Sequence, residues 1–146
     1  MKRHLLVSIL LLVAMQVCAL PNLIGRWETA PMWDRYEKTI MEINFKDTVN
    51  FEVKVSVDNT DFSEGELSSL SIRGTYQLQD TMCIFTADKS TFVATSALSS
   101  RFDISEATGP DYFLILPSNN SNDVIALIDH LNREVFVFYR QTEKIQ

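Results

Sequence analysis

The chain has 146 residues, with 13 Lys and Arg against 19 Asp and Glu, which gives a formal net charge of -6. This length fits one domain, or one domain preceded by a targeting segment, and an acidic chain without a basic run argues against a nucleic-acid partner, because phosphate contacts need clustered Lys and Arg. A hydrophobic content of 46% with 22% charged residues is typical of a globular protein and excludes a disordered one.

The first residues have the pattern of a secretory signal peptide. A short basic start at 1–4 precedes an almost entirely apolar run over 5–17, which is too short to span a bilayer comfortably. Val17 and Ala19 are small residues at the two positions that a signal peptidase reads. We therefore expect 1–19 to be removed as a signal peptide.

Two alternatives for this segment stay open at this point. An uncleaved segment would act as a membrane anchor, and Cys18 would be a site of lipidation. The second alternative is the weaker one, since 15–17 lack the small residue expected directly before a lipidated cysteine.

Cleavage leaves 20–146 as a single domain for secretion, either extracellular or periplasmic. The sequence of this domain then has one cysteine, Cys83, and one histidine, His130. The domain enters an oxidising compartment without an internal disulfide, so its stability depends on the hydrophobic core. A domain of this size buries about two-thirds of its unfolded surface, which is sufficient.

Alternation of apolar and polar residues predicts antiparallel strands through most of this domain. The clearest runs lie at 41–45, 51–57 and 70–78, each with one apolar and one polar face. A helix of one or two turns is the best interpretation of 32–38. Further strands are predicted at 23–29, 81–87, 91–96, 101–106, 112–117, 124–129 and 133–141.

Turn-forming residues separate these runs. Short turns are predicted at 46–48, 79–80, 108–111, 118–123 and 129–132, and a long acidic connection at 58–69. About ten short strands joined in order by tight turns are typical of an up-and-down meander. Closure would remove its two exposed edges, so the prediction is an all-β fold, a closed up-and-down antiparallel β-barrel.

Gly25-Arg26-Trp27 lies near the start of the first predicted strand, at 23–29, shortly after the signal peptide. This start, ahead of a β-meander, resembles the lipocalins and their calycin relatives, which are closed barrels that carry small apolar molecules. The resemblance extends to the last strand at 134–140. It implies that Arg140 stacks on the Trp27 ring, a cation–π contact that closes one end of the barrel.

The same start, with the aromatic and charged residues of 33–38, also resembles the fatty-acid-binding proteins. Residues 30–39 are too few for the helical hairpin of that group. Tyr139 and Arg140 are adjacent, which puts their side chains on opposite faces of a strand, so the carboxylate-gripping pair of that group is not expected here. The small lipocalin-like domains of bacterial secreted proteins are closest in size and layout, although the lipocalin disulfides are absent.

The sequence offers little for catalysis or metal binding. His130 lies in a predicted hairpin turn and Cys83 within a predicted strand, where a solvated ring and a buried small side chain are the simplest interpretations. The acidic connection at 58–66 does not have the spacing of a calcium loop, and no Gly-rich phosphate-binding loop occurs. We therefore expect no catalytic residue, no metal and no cofactor, and a protein that is not an enzyme.

The apolar faces of the predicted strands are the remaining candidate site. Trp33 and Tyr36 lie between the first two strands, a position often found at the mouth of such barrels, and Tyr76 is a candidate polar group for orienting a ligand. Asn119-Asn120-Ser121 is a glycosylation sequon in a predicted exposed turn, relevant only in a eukaryote. The predicted ligand-binding residues are Trp33, Tyr36, Met41, Ile43, Phe45, Phe51, Val53, Val55, Ile72 and Tyr76.

Two functions fit these observations best, and an enzyme that acts through paired carboxylates is the third and weakest hypothesis, because acid–base groups are scarce. The first is non-catalytic binding of a small hydrophobic molecule, lipid-like or fatty-acid-like, by displacement of water from an apolar interior. The second is an extracellular protein-interaction module or inhibitor, with a filled interior and with 58–69 and 118–123 as its contact loops. The volume of the interior separates the two. Neither function calls for a membrane-spanning segment in the mature chain.

Overall fold

The computed structural model describes residues 20–59, 68–106 and 109–142. The predicted signal peptide at 1–19 lies outside these residues, as does most of the predicted loop at 58–69. Within them the chain forms nine strands, a short α-helix and a single 3-10 turn. The strands are β1 (Gly25–Thr29), β2 (Met32–Asp34), β3 (Glu37–Phe45), β4 (Asn50–Asn59), β5 (Ser68–Gln79), β6 (Met82–Ala94), β7 (Asp111–Pro117), β8 (Val124–Asp129) and β9 (Val135–Arg140); the helix is α1 (Ser96–Ser99) and the 3-10 turn is Ile104–Glu106.

The strands form a closed antiparallel barrel. Each strand pairs with the next one along the chain from β2 to β9, β9 pairs with β1, and β1 pairs with β3. The ring closes where Trp27 lies opposite Ile43 on one side and Arg140 on the other. Eight strands make the ring, and β2 lies beyond β1 on the same edge of β3. The predicted closed up-and-down antiparallel barrel is confirmed.

The predicted helix at 32–38 is wrong. Residues Met32–Asp34 pair with Glu37–Thr39 as a tight hairpin, whose turn places Arg35 at a φ of 36°. The hairpin continues the ladder between β1 and β3, so strand pairing already satisfies the backbone groups that a helix would have to satisfy internally. The Lys38 ammonium lies 5.8 Å from the centre of the Trp33 ring and supports this pairing.

The separate predicted strands at 81–87 and 91–96 form one long strand, β6. It pairs with β5 along most of its length, and a register irregularity between Ser71 and Arg73 accommodates the polar residues near Asp88. There the Thr91 hydroxyl accepts a hydrogen bond from the Arg73 amide at 2.9 Å. Side-chain hydrogen bonds therefore bridge the point where the sequence suggests a break.

The predicted strand at 101–106 is also wrong, since this segment contains a turn and the 3-10 turn. The Arg101 amide donates to the carbonyl of Leu98 at 2.9 Å, which continues the turn of α1. The Asp103 carboxylate accepts from the Ser105 amide at 2.9 Å and from its hydroxyl at 2.5 Å. Short polar side chains that bond to the local backbone favour turns over strands.

The barrel has two different ends. One end, formed by the turns at 46–49, 80–81 and 118–123 and by the segment before β1, is filled with tightly packed side chains; we call it the closed end. The other end, where β7 begins and β8 turns into β9, is the open end. The buried residues that fill the closed end include Leu23, Trp27, Phe45, Tyr76, Cys83, Ile115 and Ile125.

The outward side of β7, β8 and β9 carries apolar residues only. These side chains alternate with the buried Ile115, Leu127 and Phe138, so the three strands are apolar on both faces. Pairs such as Leu116 with Ala126 place them side by side across the strands. This outer wall consists of Tyr112, Leu114, Leu116, Val124, Ala126, Ile128, Val135, Val137 and Tyr139.

Candidate functional site

A cavity of about 300 Å³ lies inside the barrel toward the open end. Seven strands contribute to its wall, from β3 round to β9, so ring closure itself creates the space. Its volume is at the lower limit of ligand-binding pockets. The lining residues are Met41, Ile43, Phe51, Val53, Ile72, Phe85, Ala87, Asp111, Phe113, Leu127, Asp129, Glu134, Phe136 and Phe138.

Three phenylalanines give the cavity a defined aromatic wall. The rings of Phe51 and Phe85 meet edge to face with centres 4.9 Å apart, and those of Phe85 and Phe113 meet in the same way at 5.6 Å. This geometry is the favourable one for aromatic pairs, because the positive edge of one ring faces the negative face of the next. The contacts join β4, β6 and β7 across the interior.

The closed end is sealed around Trp27, which has no exposed surface. Its indole Nε1 donates to the carbonyl of Leu23 at 2.8 Å. The Arg140 guanidinium lies over the indole ring, with its central carbon 4.2 Å from the ring centre, as the lipocalin resemblance implies. Arg140 also donates to the carbonyls of Asn22 and Ile24, which ties the segment before β1 to the end of β9.

A second contact set fills the same end beside Trp27. The Phe45 and Tyr76 rings meet edge to face at 4.8 Å, and the Tyr76 hydroxyl donates to the carbonyl of Asp47 at 2.6 Å. Burial raises the pKa of Tyr76, with further contributions from Cys83 and Asp47. These two aromatic residues therefore fill the closed end and do not line the cavity.

The structure brings together only part of the predicted ligand-binding set. Met41, Ile43, Phe51, Val53 and Ile72 line the cavity. The others do not line it. Trp33 and Tyr36 project from the β2–β3 hairpin with 73% and 66% of their surface exposed, and Phe45 and Tyr76 pack at the closed end. Val55 is half-buried on β4 and is not part of the lining.

Sequence reasoning missed the contribution of the last strands. Phe113, Leu127, Phe136 and Phe138 supply much of the apolar wall, and Phe85 joins them from β6. Strands that are apolar on both faces give no alternation from which to read the inward side. The signal that was available is the position of the turns, which fixes the parity of each strand.

Three carboxylates lie where the cavity meets the open end. Asp111 begins β7, Asp129 ends β8, and Glu134 directly precedes β9, so they belong to the tips of three adjacent strands. The sequence presents Asp111 and Asp129 as turn residues, which hides their place on the cavity wall.

The environments of two of these carboxylates differ. The Asp129 carboxylate accepts hydrogen bonds from the amides of Asn132 and Leu131, and these donors, in that order, lower its pKa, with a smaller contribution from His130. Asp111 retains solvent contact, yet the barrel wall removes part of its hydration, and this loss, followed by repulsion from Asp129, raises its pKa. The local donors therefore favour the charged form of Asp129, and the charge of Asp129 disfavours that of Asp111.

Glu37 anchors a polar bridge at the same end. Its carboxylate accepts from Asn59 Nδ2 at 2.6 Å and from Arg101 Nη1 at 2.5 Å. The hydrogen bond from Arg101, and then that from Asn59, lower the pKa of Glu37. The bridge ties the segment after α1 to β3 and engages the Arg101 charge.

Metal binding finds no support in the described ranges. There, no group of three His, Cys, Asp or Glu side chains is arranged to hold an ion. His130 is exposed in the turn after β8, and Asn119 is exposed in the β7–β8 loop. Across 20–59, 68–106 and 109–142 no helix has the length and apolar character to cross a membrane.

The Cys83 thiol is expected to be inert in the folded protein. It has no exposed surface, and burial raises its pKa to about 12, so little thiolate forms at neutral pH. We expect no reaction with a disulfide reagent at mildly alkaline pH under native conditions and stoichiometric reaction in denaturant. Rapid labelling of the native protein would contradict the burial of Cys83.

No protein-family model matches the chain, and no curated protein matches it either.

Proposed function

We propose that the protein is an exported, non-catalytic carrier of a small hydrophobic molecule, with a lipocalin-like barrel as its scaffold. The observation that supports this most is the apolar cavity of about 300 Å³ inside a closed ring of strands. Binding would displace water from this interior, which is favourable in proportion to the apolar area removed from water. Export is inferred from the signal-peptide pattern of 1–19.

The cavity volume limits the size of the ligand. At roughly 30 Å³ for each water-sized group, the space holds about ten non-hydrogen atoms. A medium-length alkyl chain or a single substituted ring fits, whereas a long fatty acid would have to extend through the open end.

The lipocalin-like assignment is supported by the geometry of the closed end. Gly25 and Trp27 open the ring, and Arg140 caps the Trp27 indole from the closing strand. Gly25 has a φ of 124°, a conformation that L side chains rarely adopt, which gives this position a physical reason to be glycine.

The alternative function, a protein-interaction module or inhibitor, depended on a filled interior. The open cavity favours the carrier instead. Of the two predicted contact loops, 118–123 is partly engaged with the barrel, since Asp123 accepts from Arg140 Nε at 3.0 Å. The centre of 58–69 lies outside the described residues.

The carrier function predicts saturable binding of a small apolar compound at one site. We suggest titrating the mature protein with eight-carbon alkyl compounds that carry neutral, anionic or cationic head groups. Binding is followed by calorimetry and by the rise in unfolding temperature, since a ligand at 100 times its Kd stabilises by about 2.7 kcal/mol. Saturation by at least one compound is the expected result.

A matched pair of variants locates the site. Ala87→Phe places a ring in the cavity. Thr86→Phe places the same ring one residue earlier, on the exposed outer face of β6. We expect Ala87→Phe to abolish binding and Thr86→Phe to retain it, with both variants folded by circular dichroism. If Ala87→Phe does not fold, Ile72→Phe serves the same purpose. Failure of every compound to bind would remove the carrier proposal.

A further inference from the structure

The charged side chains around the cavity favour one class of ligand head group. We propose that the ligand is a small lipophilic cation, an alkyl or aryl amine, whose ammonium group lies among Asp111, Asp129 and Glu134. This inference rests on the proposed carrier function. The site is the cavity itself, and the carboxylates determine which head group it accepts.

The described lining of the cavity is electrically one-sided. It contains apolar side chains and three carboxylates, and no Lys, Arg or His. A ligand whose tail fills the apolar part has its head beside the strand tips at the open end. An anionic head there would meet charges of its own sign, whereas an ammonium head would meet charges of the opposite sign.

The carboxylates are also available to a ligand. The Asp111 and Glu134 side chains form no hydrogen bond or ion pair with any described residue. Asp129 accepts from two backbone amides of its own turn at Oδ1 and from the Asn132 side-chain amide at Oδ2, and these donors favour its charged form. A carboxylate that accepts from amides still has lone pairs for an ammonium donor.

His130 and Arg133 lie in the turn between Asp129 and Glu134, and His130 contributes to the lowered pKa of Asp129, but the described residues show no ion pair between a cation and these three carboxylates. Arg101, which lies at the same end, donates to Glu37 on β3, on another part of the ring. Repulsion between Asp129 and Asp111 is visible as a contribution to the raised pKa of Asp111. A bound ammonium would relieve that repulsion, which adds to its attraction for the site.

An inorganic cation fits these residues less well than an organic one. The carboxylates lie at the tips of three different strands, and in the described residues no group of three such side chains is arranged to hold a metal ion. A metal ion would also leave the adjoining apolar cavity without an occupant. An amine with an apolar body uses both parts.

The experiment compares octylamine, 1-octanol and octanoate, which share one chain length. We expect octylamine to bind about tenfold or more tightly than 1-octanol at neutral pH and low salt, and octanoate to bind most weakly. The preference should shrink as ionic strength rises, because salt screens charges near the surface.

Two variants test which residues set the preference. Asp111→Asn and Glu134→Gln should bring the affinity ratio of octylamine to 1-octanol toward one. Asp58→Asn removes an exposed carboxylate on the outer side of β4 at the same end and should leave the ratio unchanged. Thermal unfolding establishes that each variant is folded.

The outcomes separate this inference from the carrier function. Equal binding of octylamine and 1-octanol, tighter binding of octanoate, or a ratio that survives both substitutions would overturn the amine inference and leave the carrier in place. If none of the three compounds binds, the carrier proposal falls and the amine inference falls with it.

Discussion

Replacement of Trp27 by alanine is expected to lower the free energy of unfolding by about 3–5 kcal/mol. The indole is fully buried at the closed end and contacts both the Leu23 carbonyl and the Arg140 guanidinium. Its removal leaves a void at the point where the last strand meets the first, and it leaves Arg140 without the surface on which it stacks. Urea unfolding at equilibrium, followed by circular dichroism, measures the change.

Trp33→Ala is the matched control for this prediction. The same chemical change is made at a side chain that is 73% exposed, where we expect an effect of about 0.5 kcal/mol or less. If Trp27→Ala costs less than about 1 kcal/mol, Trp27 does not have the closing role that its burial and contacts indicate. A similar cost for both variants would lead to the same conclusion.

Gly74→Ala should destabilise the protein by about 1–3 kcal/mol or more, although it adds a single methyl group. A Cβ at this position would overlap the carbonyl oxygen of Thr86 and would approach the Ala87 Cα and the Phe51 Cε1 to 2.9 Å. Two of these three atoms are backbone atoms of β6, so relief requires β5 and β6 to separate. The expected loss of stability comes from this steric overlap and not from the conformational freedom of glycine.

Gly109→Ala provides the comparison for Gly74, since a Cβ at Gly109 would meet no atom within 4 Å. We expect its free energy of unfolding to stay within about 0.5 kcal/mol of that of the parent protein. A tolerated Gly74→Ala substitution, with an unchanged midpoint, would mean that β5 and β6 are not as close as described. The cavity wall near Phe51 would then also need revision.

The fold could be predicted from the sequence wherever a strand has one polar and one apolar face. The alternation at 41–45, 51–57 and 70–78 predicts β3, β4 and β5, and the order of turns predicts the closed meander. The errors occur where local side-chain hydrogen bonds or strand pairing override the preference suggested by the pattern. Asp103 turns a predicted strand into a 3-10 turn, and pairing with β3 turns a predicted helix at 32–38 into a hairpin.

The candidate site was only half accessible, for a related reason. The residues of β3, β4 and β5 alternate between apolar and polar, so the pattern shows which side chains point inward. These include Met41, Ile43, Phe51, Val53 and Ile72. The later strands are apolar on both faces, and the pattern there carries no direction. The carboxylates at the cavity rim act as turn residues in the sequence, and only the three-dimensional arrangement places them beside an apolar space.

The outer wall makes the protein prone to aggregate when the barrel opens. The segments of β7, β8 and β9 combine high β-propensity with low charge, which is the composition of peptides that stack into fibrils. In the intact ring each of these segments has a neighbour on both sides, so none offers a template to another chain. A variant that opens the ring, such as Trp27→Ala, is therefore expected to be lost to aggregation during expression as well as to unfold earlier. The amount of protein recovered from the soluble fraction is then a readout of the barrel's integrity in its own right.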